Sequence, residues 1–299
     1  MGKEEVLTVA TFQYEVFLEV VESGSFTKAG EKLGLTQSGV SHNILTLEGE
    51  LGVVLLHRNR NGISLTDAGE RVIPHIRQII HHARLLEQEA ALIKGIEVGS
   101  IKIGSFPSFS AKFLPGLMNE FKRVYPGIKI ELYEGDYDII KSWIASGTID
   151  IGFIALPADE FETIQLLKDK LVVLVSVNHI LSNSIYAKDE AINNEAFIMP
   201  KSGCEVLIKD FLKQNKIKPD VAFEVHDNNT IISMVQENLG ISILPELVVP
   251  ENVPNAKVIP LEKEVYREIG LAVKSIKQAS PSLKKFIEIV KARFRIEKA

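Results

Sequence analysis

Apolar positions keep a helical rhythm through the first 93 residues and then change to short runs and alternations. Phe12, Val16, Val20 and Val21, with Phe17 beside them, mark the inner stripe of a helix over residues 9–22. Ser25 or Thr27 caps a second helix, whose small apolar side is Ala29 and Leu33. Gly34 supplies the turn that follows, where positive φ costs glycine little. Thr36 caps a third helix, in which Val40, Ile44, Leu47 and Leu51 recur at spacings of 4, 3 and 4. Gln37, Ser38, Ser41 and His42 fall on its other side, at the N-terminal end. Two apolar arms, one ending at Leu56 and one starting at Ile63, flank Asn61-Gly62, a hairpin signal because both central residues of a type I′ turn need positive φ. After the cap residue Thr66, the stripe of Val72, Ile76, Ile79, Ile80, Ala83, Leu86, Ala90 and Ile93 predicts one helix over 67–93, kinked at Pro74.

Lys94-Gly95 breaks that helix and the pattern changes. Strands are predicted over 101–104, 128–134 and 149–155, with helices over 111–125 and 139–146 between them. A second unit of the same kind follows, with strands over 171–177, 197–199, 221–225 and 240–245 and helices over 205–214 and 228–237. A strand over 269–273 and a helix over 282–295 return to the first unit, so the chain crosses near 161–166 and 262–268. Strands alternating with helices predict α/β units with a mainly parallel sheet.

With 299 residues there is room for about two domains. A hydrophobic content of 45% with 24% charged residues is ordinary globular composition. No apolar run reaches the roughly 18 residues that span a bilayer, and Met1-Gly2-Lys3-Glu4-Glu5 has no apolar signal core, so the expected location is the cytoplasm. A single cysteine cannot form an internal disulfide, which fits a reducing compartment. Charge complicates a nucleic-acid reading. Residues 1–66 carry five Lys/Arg against eight acids, a net of −3 and no basic footprint. Most of the acids lie before the third helix or at its far end, whereas Lys28, Lys32, Arg58 and Arg60 can surround a groove-facing edge. Phosphate contact per subunit is then modest, and affinity relies on dimerisation.

Short polar side chains at the start of the third helix suit a helix that enters the DNA major groove, although the pattern alone also fits any αα-hairpin. Arg58 and Arg60 on the first hairpin arm touch phosphate or the minor groove, or stand as solvated surface arginines. A small domain cannot cover the stripe of the long helix, so a partner helix is expected to cover it. His75, His81 and His82 lack the i, i+4 pairing that brings two imidazoles to one ion, so no metal is expected. Cys204 stands at a helix start with His226 in the same unit. No third orienting residue accompanies them, and an inert thiol is the leading reading. There is no phosphate-binding glycine fingerprint. Ligands in open α/β sheets bind beyond the carboxyl ends of strands, near helix starts. Three such places arise: Phe106 to Ser110; Gly135-Asp136-Tyr137; and Lys201-Ser202-Gly203-Cys204 with His226 to Thr230. Free amides at the first would suit an anion. Asp136 adds a negative charge nearby and argues against a simple anionic ligand.

The segments Gly24-Ser25-Phe26, Thr36-Gln37-Ser38, Val40-Ser41, Leu47-Glu48, Leu51-Gly52, Leu56-His57-Arg58 and Leu65-Thr66-Asp67-Ala68-Gly69 carry a resemblance to the LysR-type transcriptional regulators. The resemblance covers essentially all of the chain; it is specific for the family and says nothing of the regulated pathway. It implies an α/β protein with an N-terminal winged helix–turn–helix over 1–66 and a linker and dimerisation helix over 67–94. It also implies a two-lobed effector-binding domain over 95–299 that resembles periplasmic binding proteins. Lobe I would comprise 95–161 and 268–299, and lobe II 162–267. The implied DNA-binding residues are Ser25, Thr27, Lys28, Thr36, Gln37, Ser38, Ser41, His42, Arg58 and Arg60. Ile76, Ile80, Ala83 and Leu86 would form the dimer seam. In the family a serine or threonine at this spacing before the Leu114-Pro115 pair contacts effector, and Ser108 matches it. Phe109, Ser110, Tyr137, Ser202, Gly203 and Asn229 complete the implied effector site. The implied partners are a double-stranded DNA operator, a small-molecule effector, a homodimer or homotetramer and RNA polymerase, with no cofactor, metal, membrane or enzymatic activity. The competing expectation is a cytoplasmic solute-binding or sensor protein with an unrelated N-terminal extension and no operator binding.

Overall fold

A computed structural model describes residues 11–59, 62–95, 97–201 and 203–296, and the side chains of Arg58 and Asn59 are outside the description. The chain divides into two units. One is built on residues up to Gly99, with the short stretches Ala145–Thr148 and Ser280–Ser282; the other holds the remainder.

The first unit opens with α1 (Thr11–Ser23), α2 (Phe26–Leu33) and α3 (Gln37–Leu51), followed by the hairpin β1 (Leu56–Asn59) and β2 (Gly62–Leu65) and the long α4 (Asp67–Ile93). Gly34, at φ 67°, ends α2, and Gly52, also at φ 67°, ends α3. Tyr14, Val16, Phe17 and Val20 of α1 pack with Ala29, Val40, Ile44 and Leu47 in one core. Phe12, expected in the inward stripe, is 42% exposed, and Tyr14 takes an inner position instead. Thr66 caps α4, accepting from Gly69 N at 3.0 Å, while its own hydroxyl donates to Val54 O at 2.7 Å. The helix continues unbroken through Pro74.

The stripe on α4 has two fates. Ile73, Ile76 and Ile80 are buried in the core of this same chain, where α1 packs on them. That corrects the expectation that Ile76 and Ile80 are kept for a partner: the three-helix head is large enough to cover the first half of α4. Farther along, Ile79 is 43%, Leu86 72% and Ile93 86% exposed, spaced seven residues apart, with Ala83 and Ala90 between them.

The second unit begins with β3 (Gly99–Ser105), α5 (Pro107–Val124), β4 (Ile128–Glu134), α6 (Tyr137–Ser146) and β5 (Ile151–Ala155). The long β6 (Glu162–Ser176) follows, then α7 (Asp189–Ile192), β7 (Ala196–Pro200), α8 (Glu205–Gln214), β8 (Asp220–Val225) and α9 (Asn228–Gln236). It closes with β9 (Ser242–Pro245), β10 (Ala256–Pro260), β11 (Tyr266–Val273) and α10 (Pro281–Arg293). The sheets are mixed rather than mainly parallel. β3 pairs β5 in parallel and β7 pairs β8 in parallel, as βα alternation requires, but β11 runs antiparallel to both β5 and β6. The segment read as a crossing followed by a separate strand is one continuous strand. The first part of β6, up to Lys170, ladders with β11, and its second part pairs β9 and β10. Each end of β6 therefore belongs to a different lobe. Lobe I has its core around Ile101, Phe109, Phe121, Phe153 and Phe286, and lobe II around Leu171, Val173, Phe197, Ile208 and Ile243. Among the described residues no helix is long and apolar enough to cross a membrane, and no group of three or more His, Cys, Asp or Glu could hold a metal.

Candidate functional site

Two places merit a function, one in each unit. In the first, α3 is a capped helix with one buried and one open side. Thr36 Oγ1 accepts from Gly39 N at 3.1 Å and shares a 3.0 Å bond with Ser38 Oγ, satisfying an amide that the helix leaves without an internal partner. Val40, Ile44 and Leu47 are fully buried and fix the rotation of the helix. Gln37, Ser38 and His42 are thereby exposed and Ser41 half-buried. Leu45, 57% exposed, lies on the same open side, three residues beyond His42. Its apolar character gives no polar signal in the sequence, but an apolar side chain on that side can meet a thymine methyl. Asn43 and Thr46 turn back to the helix, donating to Gly39 O and His42 O, each at 2.9 Å.

The remaining predicted groove residues divide. Ser25, not Thr27, caps α2, accepting from Lys28 N at 3.3 Å, and Thr27 and Lys28 are exposed. The hydroxyl oxygens of Ser25 and Thr36 therefore serve helix starts. Lys32 pairs with Glu19 at 2.8 Å, which neutralises one of the few basic groups. Glu48 Oε1 accepts from Leu55 N and Leu56 N at 2.7 and 3.2 Å, so this acid holds the entry to the hairpin. Arg58 pairs with Ile63 in the hairpin ladder. Its side chain, together with Arg60 and the turn residue Asn61, lies outside the described residues.

In the second unit, the predicted ligand positions converge on the place where β6 and β11 cross between the lobes. α5 starts at Pro107, four residues earlier than expected, because proline is well suited to the first helical position, where its missing amide costs nothing. Ser108 is thus inside the first turn, and the N-cap residue is Phe106, which makes no side-chain cap. Phe109 and Ser110 face the core, contrary to their assignment as effector contacts. Phe109 is fully buried and stacked on Phe153 at 4.4 Å, and Ser110 is 6% exposed, with a buried Oγ lacking a hydrogen-bond partner among the described residues. Helix geometry explains this: positions 109 and 110 turn toward the sheet when 108 turns away from it. Tyr137 opens α6, and its ring packs edge-on to Phe106 at 5.0 Å. Across the cleft Gly203 has φ +93°, and a Cβ there would lie 3.1 Å from the Tyr137 ring. Asn229 is exposed at the start of α9, and Ser202 lies outside the described residues.

The centre of this cluster is a residue that the sequence did not single out. Arg267 is 5% exposed on β11 and faces Asp169, 3% exposed, directly across the ladder on β6. Its Nε donates to Asp169 Oδ2 at 3.1 Å, and Nη2 also donates to that oxygen. Nη1 donates to the Tyr137 hydroxyl at 2.5 Å, and Nη2 to Ser108 Oγ at 3.3 Å. The guanidinium also lies over the Phe106 ring at 4.8 Å. Asp169 uses its other oxygen to accept from Leu247 N, in lobe II, at 3.1 Å. Burial disfavours the Arg267 charge, but the Asp169 carboxylate and the hydrogen bonds to Asp169 and Tyr137 outweigh it, so the guanidinium stays protonated. Burial also pushes the Tyr137 hydroxyl above its ordinary range despite the nearby guanidinium, so it keeps its proton.

Two cavities flank this cluster, and Arg267 and Cys204 line both. The larger, about 660 Å³, lies beside Tyr137, Lys141, Lys201, Gly203 and Glu205. The smaller, about 260 Å³, lies between the starts of α5 and α9, beside Ser108, His226 and Asn229. The fold therefore brings Ser108, Tyr137, Gly203 and Asn229 around one cleft between the lobes and leaves Phe109 and Ser110 out of it. Cys204 is buried at the start of α8.

Residues 12–70 match the family described as bacterial regulatory helix-turn-helix protein, lysR family, and residues 94–295 match the LysR substrate binding domain. The chain is 40% identical to the uncharacterized HTH-type transcriptional regulator YvbU of Bacillus subtilis over 291 residues, covering 95% of this chain and 99% of that one. Among solved structures it is similar to a full-length OxyR variant from Pseudomonas aeruginosa, with a TM-score of 0.75 at 22% identity, covering 96% of this chain and 95% of that one. It is also similar to full-length CbnR complexed with its target DNA, with a TM-score of 0.66 at 24% identity, covering 95% and 99%.

Proposed function

The chain belongs to the LysR family of transcriptional regulators, and from that premise we propose how its parts divide the work. It is a DNA-binding regulator controlled by a small-molecule effector, not an enzyme. Residues 1–66 bind the operator, 67–94 join two chains, and 95–299 bind effector between lobe I (95–161 and 268–299) and lobe II (162–267). The protein works in the cytoplasm, where its DNA and RNA polymerase are.

CbnR, which has the same fold, has been solved on its target DNA, and α3 is the element suited to that task here. Gln37, Ser38, Ser41 and His42 read base edges, with Thr27, Lys28, Arg58 and Arg60 on phosphate. Ser25 and Thr36 contribute by setting the helix starts. With few basic groups in the head, one subunit binds weakly and a dimer or tetramer supplies the affinity. The seam runs along Ile79, Ala83, Leu86, Ala90 and Ile93, a heptad stripe in which large and small residues alternate. Ser108, Tyr137, Ser202, Gly203 and Asn229 surround the effector. Occupancy shifts the lobe arrangement only by the ligand's differential affinity for the two arrangements.

The observation that carries this reading is the two-sided α3: a fully buried apolar side that fixes its rotation and an open polar start. A gel shift with the DNA upstream of the protein's own coding sequence tests it. Wild type should retain that duplex against excess random DNA, and Gln37→Ala should not. Equal binding of specific and random duplex by wild type would leave the solute-sensor alternative in its place.

A further inference from the structure

Arginine has five N–H donors and no acceptor. In its bonds with Arg267, therefore, both Ser108 Oγ and Tyr137 Oη accept. Each hydroxyl has one hydrogen left, and among the described residues neither gives it to another group. The guanidinium thus turns both hydroxyls into donors. Ser108 offers its hydrogen to the smaller cavity and Tyr137 to the larger. A ligand that satisfies them must present acceptors.

The charge around these donors narrows the class further. Arg267 is already compensated by Asp169. The two lysines lining the larger cavity also face carboxylates: Lys141 lies 3.6 Å from Glu160, and Lys201 lies 3.5 Å from Glu205 and 3.7 Å from Glu224. The same cavity is lined by Asp136, Asp138, Glu205, Asp210 and Glu268, and the smaller one by Asp227. An entering carboxylate or phosphate finds no uncompensated cation among these side chains and has several acids nearby. Stripping water from an anion without supplying an opposite charge is costly, whereas an uncharged carbonyl or hydroxyl loses less and gains the donor of the cavity it enters.

Resting on the reading of the cleft as the effector site, we propose that Arg267 is its specificity-determining residue: held neutral as a pair with Asp169, it presents Ser108 and Tyr137 as donors and selects an uncharged, acceptor-rich effector over an anionic one. Four of the five Arg267 N–H groups are committed to Asp169, Ser108 and Tyr137, so the positive charge chiefly orders the site. Asp169 is what withholds it.

Acetamide and acetate are matched in shape and differ in charge, so they probe this directly. Crystals of the full chain are soaked in equal concentrations of each. Wild type should take acetamide within hydrogen-bond distance of Ser108 Oγ or Tyr137 Oη and exclude acetate. Asp169→Asn keeps an oxygen for Arg267 but removes the compensating charge, so its preference should reverse to acetate; a merely structural Arg267 would show no reversal. Ser108→Ala, which leaves the buried pair intact, should lose acetamide from the smaller cavity and keep it beside Tyr137. Acetate bound in wild type at an occupancy equal to or above that of acetamide overturns the proposed ligand class. An unreversed preference in Asp169→Asn overturns the role of Arg267. If neither probe enters either cavity, the cleft itself is not the effector site, and the proposed function fails at that point instead.

Discussion

The start of α3 and the interlobe cleft are both polar surfaces on an apolar scaffold, but they are assembled from different distances. Every candidate contact on α3 lies within nine residues, from Gln37 to Leu45, and one helix orients them all. The cleft gathers Ser108, Tyr137, Asp169, Leu247 and Arg267, with a bond from residue 267 reaching back 159 positions to Ser108. A local surface can lose one side chain and keep its shape. A surface built on one buried ion pair depends on that pair.

The largest effect should come from breaking the pair. Arg267→Met leaves Asp169 buried and unpaired and should cost about 3–5 kcal/mol in denaturant unfolding of the second unit. Arg267→Met with Asp169→Asn should recover much of that; if the double variant is as unstable as the single, the pair does not organise the cleft. Next comes Ile80→Ala, which opens a cavity in the head and should cost about 2–5 kcal/mol there. Leu86→Ala should leave the folded head almost unchanged in the same melt and weaken the dimer measured by light scattering. Equal behaviour of the two variants would undo the division of the α4 stripe. Gln37→Ala should cost about 1–3 kcal/mol on the specific site and little on random duplex, with no change in melting. Smallest is Ser108→Ala, which removes one hydroxyl donor, worth on the order of 1 kcal/mol, from effector response. Its effector titration should shift to higher concentration while effector-free operator binding stays put.

The same difference in distance explains what was legible in the sequence. Caps and a 4–3–4 spacing are local signals, so α3, Thr36 and Thr66 could be placed from residues alone. The α5 start was misplaced because Pro107 reads equally well as a loop residue or as the first helical position, and that shift carried Phe109 and Ser110 into the core. Ile76 and Ile80 belonged to the right stripe, but periodicity cannot say whether the surface covering a stripe comes from the same chain. Arg267 and Asp169 did leave a signal. Arg267 lies two residues before the apolar run Ile269–Val273 and Asp169 two residues before the apolar run Leu171–Val175, so each is a charge at the edge of a buried strand segment. Their being opposite one another depends on a register that only the folded ladder supplies.

The lobes share β6, and that restricts how they can move. A flexible loop between two bodies lets them swing apart in any direction. Here the joint is a ribbon of two hydrogen-bonded strands, stiff along its length because strand backbone is already nearly fully extended. Two-stranded ribbons tolerate a wide range of twist. Rotation about the ribbon axis is therefore the soft coordinate, in the manner of a torsion spring. Arg267 and Asp169 form a rung of that ribbon, next to where β6 leaves β11 for β9. Whatever loosens or tightens that rung changes the spring's resting angle, and the resulting displacement grows with distance toward the far edge of each lobe.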